Sequence, residues 1–149
     1  MSNPQNLVKI GIRDESRQVE TLWAIDLSKN LYRLENSPFF AYGISWNDIV
    51  RAEFDNEGFP IFVNVVKKSG HKTIRVIAEK DSKALPALLS DINKLGCYYE
   101  GAFSTLIVID IPPDVELQKI AEYLISTKFQ WEYADPTYEQ VVNENIDDV

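Results

Sequence analysis

The chain has 149 residues, 45% of them apolar and 26% charged, which suits one large domain or two small units sharing a core. No apolar run nears the roughly 20 residues that cross a bilayer, and Met1–Asn6 lacks the basic start and apolar stretch of a signal peptide, so a cytoplasmic protein without membrane contact is expected. The net charge of −8 and pI of about 4.6 disfavour nucleic acid and anionic lipid and favour a basic partner.

The first half reads as β-structure. Leu7–Arg13 alternates in strand fashion, and Val19, Thr21, Trp23, Ile25 and Leu27 share one face of a second strand. Ser28-Lys29-Asn30 is a turn and Leu31–Asn36 the returning strand, interrupted at Pro38, which offers the ladder no N–H. Asp48–Phe54 and Phe59–Lys67 are two more strands around the turn Asp55-Asn56-Glu57-Gly58. Trp23, Phe39, Phe40 and Trp46 are expected in the core of this half.

The second half changes period. Thr73–Ala78 is a strand, followed by a helix capped at Asp81 or Ser82 with Pro86 in its first turn. Its apolar stripe is Leu85, Leu88, Leu89, Ile92 and Leu95, and Gly96 stops it. Cys97–Glu100 and the nearly all-apolar Thr105–Ile111 are strands. Asp114 caps a second helix with the stripe Leu117, Ile120, Ala121, Leu124 and Ile125, and Phe129–Tyr133 is the last strand. The order β-α-β-β-α-β is that of a ferredoxin-like unit, whose first and third strands lie centrally. The predicted fold is therefore α+β: a curled N-terminal sheet or small β-barrel over residues 7–70, packed on a ferredoxin-like unit over 71–135. Residues 136–149 are expected to form a loosely packed acidic tail.

The acidity has a location. Residues 1–96 hold 13 Lys/Arg and 12 Asp/Glu, a net of +1, whereas residues 97–149 hold 2 and 11, a net of −9. No basic residue follows Lys128.

Few residues can carry covalent or metal chemistry. With one cysteine, Cys97, and one histidine, His71, a zinc site is not expected, and no other cofactor is implied. Cys97 reads as a core thiol in a reducing compartment. His71 reads as a turn histidine among Lys67, Lys68 and Arg75, cations that would lower its pKa. Lys67, Lys68, Lys72 and Arg75 make a modest basic patch, and Glu20 and Glu35 are the carboxylate pair most able to meet across a hairpin.

The blocks Val19-Glu20-Thr21-Leu22-Trp23-Ala24 and Tyr32–Ala41, with Gly43-Ile44-Ser45, Asp48-Ile49-Val50, Ser69-Gly70-His71, Thr73-Ile74-Arg75 and Trp131-Glu132-Tyr133, resemble DUF4265, a bacterial family of domains of unknown function. The likeness spans roughly Val8 to Tyr133 and departs at Trp46-Asn47, where the family has Leu-Gly before the aspartate. The resemblance supplies no catalytic residue. It implies likeness to the small stand-alone proteins encoded beside polymorphic toxins, and hence an immunity protein.

Three functions follow as expectations. The first is a macromolecule-binding protein, an immunity protein that occludes the active site of a cognate toxin or binds another basic protein. Trp131, Glu132, Tyr133, Asp135 and Glu139 would form its contact surface. The second is a small-molecule-binding regulatory module, and the third an enzyme built on Glu20 and Glu35.

Overall fold

The computed structural model describes residues 6–14, 16–79, 81–102 and 105–147. Met1–Gln5 of the N-terminus and Asp148 of the acidic end lie outside the described residues.

Strands β1 (Leu7–Arg13), β2 (Val19–Asp26), β3 (Leu31–Leu34), β4 (Ile49–Phe54) and β5 (Pro60–Lys67) pair antiparallel in sequence order. The sheet curls until β1 meets β5 in parallel at Gly11 and Ile61, which closes a barrel. Gly11 permits this closure: a Cβ there would lie 2.9 Å from Val19 Cγ1 and 3.1 Å from Ile61 Cδ1. Inward-facing Ile10, Ile12, Leu22, Ala24, Tyr32, Leu34, Val50 and Ala52 fill the interior, with Ile44 added from the β3–β4 connection.

The core is thus mainly aliphatic, and this corrects the aromatic core expected from the sequence. Trp23 and Phe40 are 42% and 56% exposed, and Phe39 and Trp46 are half-buried. A five-stranded barrel has a narrow bore that branched aliphatic side chains fill. Trp23 lies outside, with Lys9 Nζ 4.8 Å from its ring centroid.

A second, four-stranded antiparallel sheet follows, in the order β7 (Tyr98–Ala102), β8 (Leu106–Ile111), β6 (Lys72–Ile77), β9 (Gln130–Asp135). The two most buried strands, β6 and β8, hold the centre. Ile74, Val76, Ile107, Ile109 and Ile111 point to one face, where Leu88 and Ile92 of α1 (Leu85–Lys94) and Ile120 and Leu124 of α2 (Leu117–Ser126) cover them. Tyr123 Oη donates to Asp91 Oδ2 at 2.8 Å and ties the two helices together. The helices start at Ala84 and Glu116 with no side-chain cap, not at the expected Asp81/Ser82 and Asp114.

After β9, the segment expected as an acidic tail takes up helical structure. Residues 138–147 form a third helix, α3 (Tyr138–Asp147). Gln140 Oε1 accepts the Thr137 N–H at 2.8 Å and Thr137 Oγ1 accepts the Gln140 N–H at 3.3 Å, a reciprocal capping box.

The connection between β3 and β4, residues 35–48, lies between barrel and sheet and joins them. From the barrel, the Glu20 carboxylate accepts the N–H groups of Phe39, Phe40 and Ala41. From the sheet, Arg75 Nη1 donates to the carbonyls of Pro38 (3.2 Å) and Ala41 (2.9 Å). Asn47 adopts φ +66° before Asp48, in the left-handed region, and makes the turn there. Asparagine tolerates the left-handed region better than most side chains.

Below this turn sits a polar knot. Buried Asp48 accepts the N–H groups of Ser45 (2.9 Å) and Ser69 (2.8 Å), and Lys68 Nζ donates to both Asp48 and Asp135. Ser45 Oγ bonds Asp135 Oδ2 at 2.6 Å and Thr73 Oγ1 at 2.7 Å. The Lys68 ammonium, two backbone N–H groups and the Ser45 hydroxyl offset the desolvation of the two buried carboxylates.

Candidate functional site

Strand β9 is an edge strand of its sheet, and a cleft of about 680 Å3 opens beside it. Trp131, Glu132 and Tyr133 supply the strand side, Tyr42 comes from the β3–β4 connection, and Thr137, Tyr138 and Glu139 come from the capped start of α3. Trp131 and Tyr133, two residues apart on one strand face, meet edge to face with centroids 4.9 Å apart. Tyr138 is 67% exposed and Glu139 is also exposed.

The inner wall of the cleft is a fixed stack. Arg75, only 1% exposed, lies over Tyr42 with its guanidinium carbon 4.6 Å from the ring centroid. Arg75 Nε donates to Glu132 Oε1 at 3.0 Å, and Tyr42 Oη donates to Glu132 Oε2 at 2.7 Å. Donation to that carboxylate, with burial, raises the Tyr42 hydroxyl above its usual value. Burial, with Tyr138 beside it, does the same for Tyr133.

A second concavity, of about 870 Å3, lies between the start of α1 and the end of α2. Ile77, Leu88, Tyr123 and Phe129 line it, with Lys128 and Gln130 among its polar groups.

The family model for DUF4265, a domain of unknown function, matches residues 20–133. The chain belongs to this family. A solved structure of similar shape is a hypothetical protein from Neisseria gonorrhoeae, described as a novel crystal structure. It is 19% identical, covers 89% of this chain and 96% of its own, and superposes with a TM-score of 0.71. At that identity the likeness is one of fold. No curated protein matches the chain.

This DUF4265 chain brings four of the five residues singled out from sequence, Trp131, Glu132, Tyr133 and Glu139, into one cleft. The fifth, Asp135, turns inward: it is 6% exposed and held by Ser45 and Lys68. Tyr42 and Tyr138 complete the cleft and were not singled out. Tyr138 carried a local signal, since Thr137-Tyr138-Glu139-Gln140 is a capping box that starts a helix at that point.

The remaining candidates have separate places. Glu20 serves the three N–H groups of residues 39–41, and Glu35 pairs with Arg33 at 3.1 Å. The expected basic patch is divided: Lys68 is committed to Asp48 and Asp135, and Arg75 is buried against Glu132. His71 faces a carboxylate, not the expected cations, with Nδ1 2.8 Å from Asp110 Oδ1. Burial raises the Asp110 carboxyl, and the contact with His71 works against it. Cys97 is buried, and its thiol is pushed up to about 12 by burial and by Asp110 and Asp114. Among the described residues, no group of three or more His, Cys, Asp or Glu is placed to hold a metal ion, and no helix is long and apolar enough to cross a membrane.

Proposed function

We propose that this DUF4265 chain is a macromolecule-binding protein that receives a basic protein partner in the cleft beside β9. The observation that carries this reading is the joining of four aromatic rings with Glu132 and Glu139 in one open cleft, within the third of the chain that bears a net charge of −9. Aromatic anchors beside acidic groups supply contact energy, and the surrounding charge speeds encounter with a basic surface. The finer form of the proposal is an immunity protein in the cytoplasm that covers the active site of a cognate toxin. Resemblance to proteins encoded beside toxin genes supports that form, and the lone buried Cys97 accords with a reducing compartment. The second unit we read as ferredoxin-like, which its element order and the strand order β7-β8-β6-β9 support.

The test is co-expression with the adjacent gene product in the native host. Retention of a basic neighbour on the tagged chain, with protection of growth against it, is the expected result. Absence of both rejects the immunity reading.

One observation favours a second reading, a small-molecule regulatory module. The groove at Ile77, Leu88 and Phe129 has the volume and mixed lining of a ligand site. A melting shift with a metabolite panel, lost in Leu88→Phe, would support it.

A further inference from the structure

We propose that the cleft beside β9 is a receptor for an arginine side chain of the partner protein, held among Trp131, Tyr133 and Tyr138 with Glu139 as its counter-ion. The inference rests on the binding function proposed above and names the chemical group that the cleft selects.

The molecule already contains one such arrangement. On the inner wall, Arg75 lies on the Tyr42 ring while Glu132 takes its Nε–H. Aromatic face and carboxylate together suit a guanidinium, which is planar, weakly hydrated and able to stack and donate at once. That first set is occupied: Glu132 Oε1 is used by Arg75 and Oε2 by Tyr42. The outer side of the same cleft repeats the ingredients, with no cation among its described lining residues. Trp131 and Tyr133 present an edge-to-face pair, Tyr138 stands 67% exposed across from the strand, and Glu139 follows it in the first turn of α3.

Charge selects the occupant. Arg75 and Glu132 offset each other, so Glu139 leaves the cleft negative. A phosphate or carboxylate would meet repulsion there, and a neutral apolar side chain would leave Glu139 facing a poorly hydrated neighbour without a partner. A lysine ammonium could pair with Glu139 but would lose more hydration and could not stack flat.

The test uses the full chain, labelled with nitrogen-15, titrated with N-acetyl-arginine methylamide and separately with its neutral citrulline counterpart. The expected result is saturable shifts at the Trp131 indole N–H and at the amides of residues 131–133 and 138–139 with arginine, and none with citrulline at the same concentration. Tyr138→Ala and Glu139→Gln, both at exposed side chains, should each weaken arginine binding by about three- to fivefold. Equal response to citrulline, shifts confined to other parts of the chain, or no response up to tens of millimolar would each overturn the proposal. Because no partner protein is present, such a failure removes the arginine pocket and leaves the binding function to be decided by co-purification.

Discussion

On the face of the sheet turned to the barrel, Arg75 covers Tyr42 and gives its Nε–H to Glu132, while Lys68 draws Asp48 and Asp135 together. One strand edge away, Trp131, Tyr133, Tyr138 and Glu139 face an open cleft. Both regions use aromatic rings and carboxylates. In the joint between barrel and sheet Glu20, Asp48, Glu132 and Asp135 each find a cation or backbone N–H groups, because an unpaired charge there would lose its hydration with nothing in return. At the cleft, Tyr138 and Glu139 are exposed to an outside molecule, while Trp131 and Tyr133 are half-buried against the helix-covered core. The residues that carry the family resemblance fall mostly in the first region: Glu20, the segment 36–41, Ser45, Asp48 and Arg75 are the parts of the joint. In this structure those residues fasten the two units to each other.

The largest test of that contrast is Arg75→Ala. The change strips donors from the Pro38 and Ala41 carbonyls, frees Glu132 and removes the ring contact. Loss of about 3 kcal/mol or more is expected in urea-induced unfolding. A loss below about 1 kcal/mol would show that the connection 35–48 is held without Arg75.

Arg75 also shows where reading the sequence stops. The helical stripes with Leu88, Ile92, Ile120 and Leu124, and the apolar run of β8, state their own burial, since periodicity and run length are local. Arg75 sits in a strand with Lys72 nearby and reads as part of a basic patch. Its burial depends on carbonyls 34 and 37 positions away, which no local pattern announces. Asp135 is similar: it reads as part of the acidic surface until Ser45, 90 residues earlier, is brought to its carboxylate. Aromatic count misled for another reason. Trp23 and Phe40 are the right kind of residue for a core, but Trp23 stands on the outward face of β2 and Phe40 in the β3–β4 connection, while aliphatic side chains and Tyr32 fill the bore. At the cleft, residues 131–133 and Glu139 were legible from composition and charge, while Tyr42 arrives from the other half of the chain.

A smaller effect, of opposite sign, is expected at Asp110, where the joint holds a charge less well. Burial raises its carboxyl, His71 partly counters this, and among the described residues Oδ2 has no hydrogen-bond partner. A raised folded value means that the native chain holds this proton more tightly than the unfolded chain. Its contribution to stability is present at low pH and is lost as pH rises through the raised value. Asp110→Asn keeps an acceptor near His71 and removes the charge. The variant should therefore be more stable than the parent by about 1 kcal/mol near about pH 8, with the gap closing toward about pH 4. Melting curves across that range decide the matter, and a gap that widens on acidification would place the charge cost elsewhere.

The smallest effect on stability, and the sharpest division between the regions, is expected at the cleft. Tyr138 and Glu139 are exposed and take no part in either core cluster, so Tyr138→Ala and Glu139→Gln should each shift unfolding by no more than about 0.5 kcal/mol. Their effects should separate instead in the kinetics of partner binding. Glu139 acts at a distance through its charge, so its neutralisation should slow association and flatten the salt dependence, with dissociation little changed. Tyr138 acts only in contact, so its truncation should speed dissociation and leave association nearly as it was. Stopped-flow measurement at two salt concentrations distinguishes the two. If both variants altered only the unfolding curve, the cleft would be one more piece of the scaffold, and the contrast with the buried joint would vanish.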